Sequence, residues 1–179
     1  MYYITTFKAL IGTITLACDD NNDGNNLVGL WLKGQKYYGA DILKNAQTKD
    51  DMPIFADTKK WLEEYFSGQK PDIKRLPLNP VGSDFRKEVW NILCEIPYGQ
   101  LTTYGKIAKN MAAKMNRPSM SGQAVGGAVG HNPISIIIPC HRVVGSNGSL
   151  TGYAGGIEAK IALLELEKVD MYKLVMPKR

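Results

Sequence analysis

The chain has 179 residues, of which 44% are hydrophobic, and its formal net charge at neutral pH is +5. This length suits one domain or two small ones that share an interface. No apolar run approaches the roughly 20 residues that a membrane helix needs, and the first residues lack the basic region and long apolar core of a signal peptide. We therefore expect a cytoplasmic protein without a membrane segment, and a monomer.

The positive charge and the cysteines limit the partners and the ligands. A pI near 9.0 suits a polyanionic partner, although many cytoplasmic proteins are mildly basic without binding nucleic acid. The three cysteines, at positions 18, 94 and 140, are scattered and odd in number, which argues against a disulfide framework. With only two histidines, the chain has no cysteine or histidine spacing of a structural zinc site.

The first half of the sequence predicts a small α/β unit with no evident chemistry of its own. Runs rich in branched aliphatic residues and threonine, bounded by turn residues, are typical of strands. The predicted strands are two within residues 2–18 and a third over residues 27–32. The turn segment 19–26 is rich in Asp and Asn but lacks the spacing and closing glutamate of an EF-hand. It therefore predicts a solvated hairpin turn rather than a calcium site.

A helix and a linker complete this unit. Apolar residues recur on one side over residues 54–66, which predicts a helix, whereas residues 38–53 are polar and give no clear prediction. The proline-containing segment 70–81 predicts an extended linker. We therefore expect one domain over residues 1–79 and a second over residues 80–179.

The second domain begins with predicted helices. Ser83 is a suitable N-cap for the first, and Thr102 or Thr103 for the next, which carries Tyr104. The segment 119–130 contains glycines that each cost up to about 1 kcal/mol in a helix interior. Two short helices joined by a tight turn resemble a helix-turn-helix, whose bare second helix would pack against DNA by shape. Close packing between helices explains the same small residues equally well.

A predicted strand leads to the most distinctive stretch of the chain. Residues 131–133 predict a turn, and the apolar run 134–138 predicts a buried strand that ends beside Cys140 and His141. A group at the end of such a strand is held by packing on one side and open on the other. Cysteine has a few per cent thiolate at neutral pH, and we expect the neighbouring basic group to lower its pKa further.

Loops and a helix end the domain. Residues 145–149 predict a turn or wing-like loop, and the glycine-rich segment 151–156 leads into a helix whose apolar side consists of residues at 157, 161, 164 and 166. Glu165 and Glu167 both fit solvated positions near the end of this helix.

The thiol of Cys140, the imidazole of His141, the amide of Asn132 and a later carboxylate fit two classes of reaction. In acyl transfer, the thiol attacks a carbonyl and water then releases the acyl group. In attack on an alkyl carbon, a stable thioether forms and the protein acts once. A third hypothesis is a winged-helix DNA-binding protein without chemistry. The residues alone leave these alternatives open.

Three motifs together resemble the signature of the methylated-DNA–protein-cysteine methyltransferases: Pro139–Val143, Asn132–Pro133 before it and Tyr153–Gly156 after it. The resemblance is strong over most of residues 80–170. It implies a ribonuclease H-like α/β N-terminal domain and a mainly α, winged helix-turn-helix C-terminal domain that carries the active cysteine. It also implies irreversible transfer of a methyl or other alkyl group from the six-position oxygen of guanine in double-stranded DNA to Cys140. The implied reaction has a single turnover, with base flipping through the minor groove, and leaves alkylated thymine as a further candidate substrate.

The resemblance also implies a role for each matching residue. His141 would accept the thiol proton through a water, Glu167 would hold and polarise His141, and Asn132 would brace the turn before the active stretch. No cofactor and no metal are implied, because the chain lacks ligands for the zinc that some family members bind. The implied substrate- and DNA-binding residues are Tyr104, Gln123, Ala124, Gly126, Val143, Ser146, Tyr153 and Ala154.

In the implied pocket, Tyr104 donates to the base and helps to rotate the nucleotide out of the duplex, and Tyr153 forms a wall. The backbone N–H of Ala154, where many relatives have serine, faces the six-position oxygen. The carbonyl groups of Cys140 and Val143 accept from the guanine amino group.

The chain departs from the family pattern at Gln123. Many relatives have an arginine there, which fills the gap that the flipped base leaves. Glutamine is shorter and uncharged but still forms hydrogen bonds with the orphaned partner base, so we expect Gln123 to perform a weaker form of the same role.

Overall fold

The structure is a computed structural model that describes residues 1–39 and 41–176. The chain divides into two compact units. The first comprises Met1–Val81 together with Pro133–Ile137, and the second comprises Gly82–Asn132 and the residues from Ile138 onward. Within the described residues, no helix is both long enough and apolar enough to span a membrane.

A four-stranded sheet forms the centre of the first unit. Strand β1 (Tyr2–Ala9) pairs antiparallel with β2 (Gly12–Asp19), which pairs antiparallel with β3 (Leu27–Leu32). Strand β4 (Ala46–Thr48) pairs parallel with β1, so the strand order is β3-β2-β1-β4. The three predicted strands are confirmed, whereas β4 was missed because it is short and polar.

Helix α1 (Pro53–Phe66) confirms the predicted helix and contributes to the core of this unit. Its buried side chains include Trp61, which stacks on Tyr65 with ring centroids 5.5 Å apart. The segment predicted as a linker is not free of contacts, since Leu27 donates to the Pro77 carbonyl and accepts from the Asn79 N–H. That segment therefore extends the hydrogen bonding at the edge of β3.

The second unit contains helices and a short two-stranded sheet. The helices are α2 (Asp84–Cys94), α3 (Tyr104–Lys114), α4 (Gly122–Gly130) and α5 (Ile157–Leu166), and the strands are β5 (Thr102–Thr103) and β6 (Val143–Val144), which pair parallel. The hydroxyl groups of Ser83 and Thr103 accept from backbone N–H groups in the first turns of α2 and α3, which confirms both predicted caps. Helices α3 and α4 form the helix-turn-helix, and the indole N–H of Trp90 in α2 donates to the Ala128 carbonyl of α4.

The predicted strand over residues 134–138 is wrong. Ile134 forms one isolated bridge with Leu30, after which the chain turns. The Ile137 N–H donates to the Ser135 carbonyl, and the intervening Ile136 has a φ of +70°. A positive φ at a branched residue costs on the order of 1–3 kcal/mol, and the burial of the whole run offsets it. A short apolar run signals burial but does not by itself distinguish a strand from a buried turn.

Candidate active site

Cys140 lies in a buried 3-10 turn, Cys140–Arg142, and not at the end of a strand. Only 4% of the residue is exposed. Burial raises the pKa of its thiol, while a hydrogen bond from the Asn132 side chain, the charge of Lys160 and nearby backbone N–H groups act in the opposite direction. The expected net lowering of this pKa is therefore wrong, because burial outweighs the stabilising groups.

Asn132 braces the segment that precedes Cys140. Its side chain is buried, and its amide nitrogen donates to the Ile138 carbonyl over 2.8 Å. The same side chain forms the hydrogen bond that stabilises the Cys140 thiolate. One amide thus connects the end of α4 to the turn that carries the thiol.

His141 is held by a buried carboxylate. Its Nε2 atom lies 2.5 Å from Oε2 of Glu167, and neither side chain is exposed. Oε1 of Glu167 accepts from Nε of Arg142 over 2.7 Å and from the backbone N–H of Gly99 over 3.0 Å. Arg142 also donates to the Ile96 carbonyl. The carboxylate expected to be solvated from its spacing is therefore the centre of a buried network.

The network sets the protonation state of the imidazole. Burial raises the pKa of Glu167, but the hydrogen bonds and charges of His141 and Arg142 outweigh it and hold this pKa well below its usual value. Burial lowers the pKa of His141, which favours the neutral ring. In a neutral ring that donates to Glu167, Nε2 has the proton and Nδ1 is an acceptor. Nδ1 has no hydrogen-bond partner among the described residues.

Tyr104 and Tyr153 are the two tyrosines that the sequence predicts for the substrate pocket. The hydroxyl of Tyr104 donates to the Thr151 carbonyl over 3.2 Å, and a Cβ atom at Gly152 would approach this hydroxyl to 2.8 Å. Burial and the charge of Cys140 raise the pKa of Tyr104 to about 12. Burial also raises the pKa of Tyr153, whose buried hydroxyl has no hydrogen-bond partner among the described residues. Both hydroxyls are therefore protonated donors at neutral pH.

Lys160 is a further charged group near the thiol, in addition to Glu167 and Arg142, and the sequence analysis did not identify it. Its side chain is fully buried, and Nζ donates to the Val143 carbonyl over 2.6 Å and to the Thr151 carbonyl over 3.1 Å. The signal was available, because Lys160 follows Ile157 by three residues and precedes Leu164 by four, on the apolar side of α5. Arg142, also missed, gave no comparable periodic signal.

Within the described parts of the chain, no group of three or more His, Cys, Asp or Glu side chains is arranged to hold a metal ion.

The family model described as the 6-O-methylguanine DNA methyltransferase, ribonuclease-like domain matches residues 1–80, and the DNA binding domain of the same methyltransferase matches residues 84–169. The chain belongs to the methylated-DNA–protein-cysteine methyltransferase family. The resemblance seen in the sequence and the two-part fold that it implied are thereby confirmed.

Individual relatives are similar in sequence to this chain over nearly its whole length. The methylated-DNA–protein-cysteine methyltransferase of Haemophilus influenzae is 47% identical over 167 residues, which cover 93% of this chain and 87% of that protein. The corresponding protein of Methanosarcina acetivorans is 44% identical over 169 residues, with 93% and 98% covered. The crystal structure of Mycobacterium tuberculosis OGT in complex with DNA has a TM-score of 0.75 at 39% identity, with 93% and 92% covered. The family membership identifies the chain as a methyltransferase and not a hydrolase.

The structure places two of the three predicted DNA-binding residues of α4 at exposed positions. Gln123 and Ala124 are exposed and Gly126 is half-buried, whereas Val125 and Val129 are buried. Apart from the backbone of α4 itself and the adjacent residues in the chain, ideal Cβ atoms on the glycines of α4 would meet no atom of the described chain within 4 Å. Close packing inside the chain therefore does not explain these glycines. They are Gly122, Gly126, Gly127 and Gly130.

The other predicted positions are more scattered. Ser146 is exposed in the loop after β6, Ala154 is partly buried, and Val143 is fully buried. A groove of about 590 Å³ runs beside α3 and the turn before α4, and Lys109 and Arg117 contribute its positive charge. Sequence reasoning did not identify this groove.

Proposed function

We propose that this methyltransferase repairs DNA by moving a methyl or other alkyl group from the six-position oxygen of guanine to Sγ of Cys140. The observation that carries the proposal is the buried thiol beside the His141–Glu167 pair, in a chain of this family. An electron pair of the thiolate forms the new S–C bond, and the electrons of the C–O bond pass to the six-position oxygen. The guanine then takes up a proton and remains in the DNA.

The acid–base step follows from the protonation states. Since burial raises the pKa of Cys140, most of the thiol is protonated at neutral pH and requires a base. His141 accepts this proton at Nδ1 through a water, and ionised Glu167 stabilises the imidazolium that forms. Arg142 keeps Glu167 ionised. The thioether product has no easy hydrolysis, so each chain reacts once.

The alkylated nucleotide must leave the stack before Sγ reaches it, at a cost of a few kcal/mol that is smaller for a damaged base. Tyr104 donates a hydrogen bond to the extruded base, Tyr153 forms a wall of the pocket and the Ala154 N–H faces the six-position oxygen. The Val143 carbonyl accepts from Lys160 and retains a second lone pair for the guanine amino group.

Helix α4 approaches the minor groove, where sequence readout is poor, which suits repair in any sequence context. Gln123 fills the gap left by the flipped base, supported by its exposed position on α4. Replacing Gln123 with alanine should lower both DNA affinity and transfer rate. Unchanged values of both would remove Gln123 from this role.

Intact-mass spectrometry tests the proposal. The chain is mixed with an excess of duplex that contains one methylated guanine, with Cys140→Ser and an unmodified duplex as controls. We expect a gain of one methyl group per chain, located on Cys140 by peptide mapping. Full DNA binding without a mass change would instead identify a lesion-binding protein without chemistry. Repeated turnover would contradict the single-use thioether.

A further inference from the structure

Two γ-turns follow one another in the segment that leads to Cys140. The Ile137 N–H donates to the Ser135 carbonyl over 2.8 Å, and the Cys140 N–H donates to the Ile138 carbonyl over 2.8 Å. With a φ of +70°, Ile136 is at the centre of the classic form of this turn, which is rare and strained. A strained residue persists only where the surrounding structure over-determines its conformation. The turn at Ile136 therefore requires partners that hold it.

The backbone of β3 binds the segment on both sides of Ile134. The Leu30 N–H donates to the Pro133 carbonyl over 2.9 Å, and the Leu30 carbonyl accepts from the Ser135 N–H over 3.0 Å. These hydrogen bonds fix the chain up to the first residue of the strained turn. The Ser135 carbonyl is the acceptor of the turn itself, so the hydroxyl is the remaining polar group of this residue.

Gln35 supplies the partner of that hydroxyl. The Ser135 hydroxyl donates to Oε1 of Gln35 over 3.3 Å, and the same oxygen accepts from the Leu32 N–H over 2.8 Å. The Gln35 N–H in turn donates to the Leu32 carbonyl, so the backbone and the side chain of Gln35 both bind the end of β3. Ser135 and Gln35 are both buried, so solvent competes little for these hydrogen bonds. One buried amide oxygen thus connects β3 to the strained turn.

The chain continues from this turn directly to the thiol. Ile138 is the next residue, and its carbonyl accepts from the Asn132 side chain over 2.8 Å and from the Cys140 N–H. A rotation of the backbone at Ile136 would therefore move the carbonyl that holds Cys140. The sequence predicts Asn132 as the brace of this stretch, whereas Gln35 lies 100 residues before Ser135 and has no sequence signal that connects the two.

We infer that Gln35 is a positioning residue for the transfer. Through Ser135 it holds the strained turn at Ile136, and it thereby sets where the chain places the Cys140 thiol. The inference rests on the proposed function only for the identity of the alkyl donor, because the hydrogen bonds belong to the free protein.

The first test separates positioning from stability with two variants of the first unit. Gln35→Met keeps the size of the side chain but removes the accepting oxygen, whereas Thr5→Val removes a buried hydroxyl of β1 that donates to Asp50. Both should lower stability, because each loses a buried hydrogen bond. The first-order rate of methyl transfer is measured at saturating methylated duplex, well below the unfolding temperature of each chain.

We expect Gln35→Met to lower this rate roughly tenfold or more, because a small displacement of a reacting group slows its reaction strongly. The Kd of the duplex should stay within about twofold of the parent value, since no DNA contact changes. Thr5→Val should keep the parent rate. If folded Gln35→Met transferred the methyl group as fast as Thr5→Val does, Gln35 would be a structural residue only, and the inference would be overturned.

Three further variants test the hydrogen bond itself. Gln35→Glu keeps an accepting oxygen, so it should retain most of the parent rate although a buried charge lowers stability. Ser135→Ala removes the donor and should slow the transfer about as much as Gln35→Met does. Because both changes remove the same hydrogen bond, the double variant should be no slower than the slower single variant. Effects that multiply in the double variant would contradict a shared hydrogen bond.

The second test needs no DNA. The backbone amide signals of ¹⁵N-labelled cysteine are compared by NMR in the parent chain and in Ser135→Ala. We expect the Cys140 signal to shift and the signal of Cys94, in α2, to stay in place; an unchanged Cys140 signal would overturn the inference. If the parent chain transferred no methyl group in the first test, the proposed function would be wrong, and the amide signals alone would decide whether the turn positions Cys140.

Discussion

The carboxylate of Glu167 accepts hydrogen bonds from His141, Arg142 and the backbone of Gly99 in a place without solvent exposure. Removing one partner of such a buried charge costs about 3–5 kcal/mol, because the other partners keep their desolvation penalty. In the proposed function the same carboxylate orients the imidazole that receives the Cys140 proton. Stability and transfer rate therefore depend on one side chain.

Replacing Glu167 with glutamine should reduce both the stability of the chain and the transfer rate, and should change how each depends on pH. The pKa of Glu167 in the folded chain lies well below the ordinary 4.5, so its contribution to stability is fully present above pH 4.5 and is lost as pH falls further. We expect the stability of Glu167→Gln to be lower by about 3 kcal/mol at neutral pH and to fall less steeply in acid. Urea unfolding at a series of pH values measures this.

The neighbouring exposed residue Glu165 provides the control. Glu165→Gln removes the same charge from the same helix end and should change stability by less than about 0.5 kcal/mol. If the free energy of unfolding fell equally steeply in acid for the parent chain and for Glu167→Gln, the network would not hold the carboxylate ionised.

Single residues divide into those that the motifs identified and those that only the fold reveals. Cys140 and His141 are adjacent in a specific motif, and Asn132 lies close to them in the chain. Lys160 and Arg142 are long charged side chains that ordinarily extend into solvent. Their burial depends on which carbonyl groups the folded chain brings near them, and neither composition nor motif length contains that information.

Contacts within the described chain do not account for the small residues that helix α4 exposes. Its glycines reduce helix stability, and no contact within the described residues requires them. The buried side, with Val125 and Val129, fixes the helix against its neighbours. The exposed side is therefore shaped for close approach by a partner, and in the proposed function that partner is DNA.

Substitutions of Gly127 should separate stability from binding. Gly127→Ala should stabilise the chain by about 0.5–1 kcal/mol, because alanine has a higher helix propensity and its Cβ meets no atom within 4 Å. The same change should weaken DNA binding, and Gly127→Leu should weaken it further at equal or greater stability than the parent chain. Thermal unfolding and fluorescence anisotropy with a labelled duplex measure the two effects. If Gly127→Leu bound DNA as tightly as the parent chain does, DNA would not contact the exposed side of α4.

Among the helices and strands, the sequence predicted those that have a clear hydrophobic periodicity or a clear N-cap residue. The strands β1 to β3, helix α1 and the caps of α2 and α3 all have such local signals. The run 134–138 was misassigned because its apolar residues are buried in a turn, and burial is what an uninterrupted apolar run reports. The strand β4 contains polar residues and depends on a non-local partner, β1, which single-sequence patterns do not indicate.

At the scale of the whole molecule, the net charge of +5 favours a polyanion but does not locate it. The groove beside α3 concentrates positive charge, since Lys109 and Arg117 both line it. Phosphate contacts release counterions, so DNA affinity should fall steeply as salt rises, with a slope of about −0.9 in log affinity per contacted phosphate.

Two lysine substitutions separate local contact from net charge. Lys109→Gln alters the groove, whereas Lys60→Gln alters the exposed face of α1 in the first unit, and both lower the net charge by one. We expect Lys109→Gln to reduce the salt slope of DNA affinity by about one and Lys60→Gln to leave it unchanged. Methyl transfer at saturating DNA should match the parent chain in both. If both variants changed the salt slope equally, DNA affinity would depend on the net charge of the chain, and the groove would not be a phosphate contact. If only Lys109→Gln changed the salt slope, the DNA backbone would lie along α3.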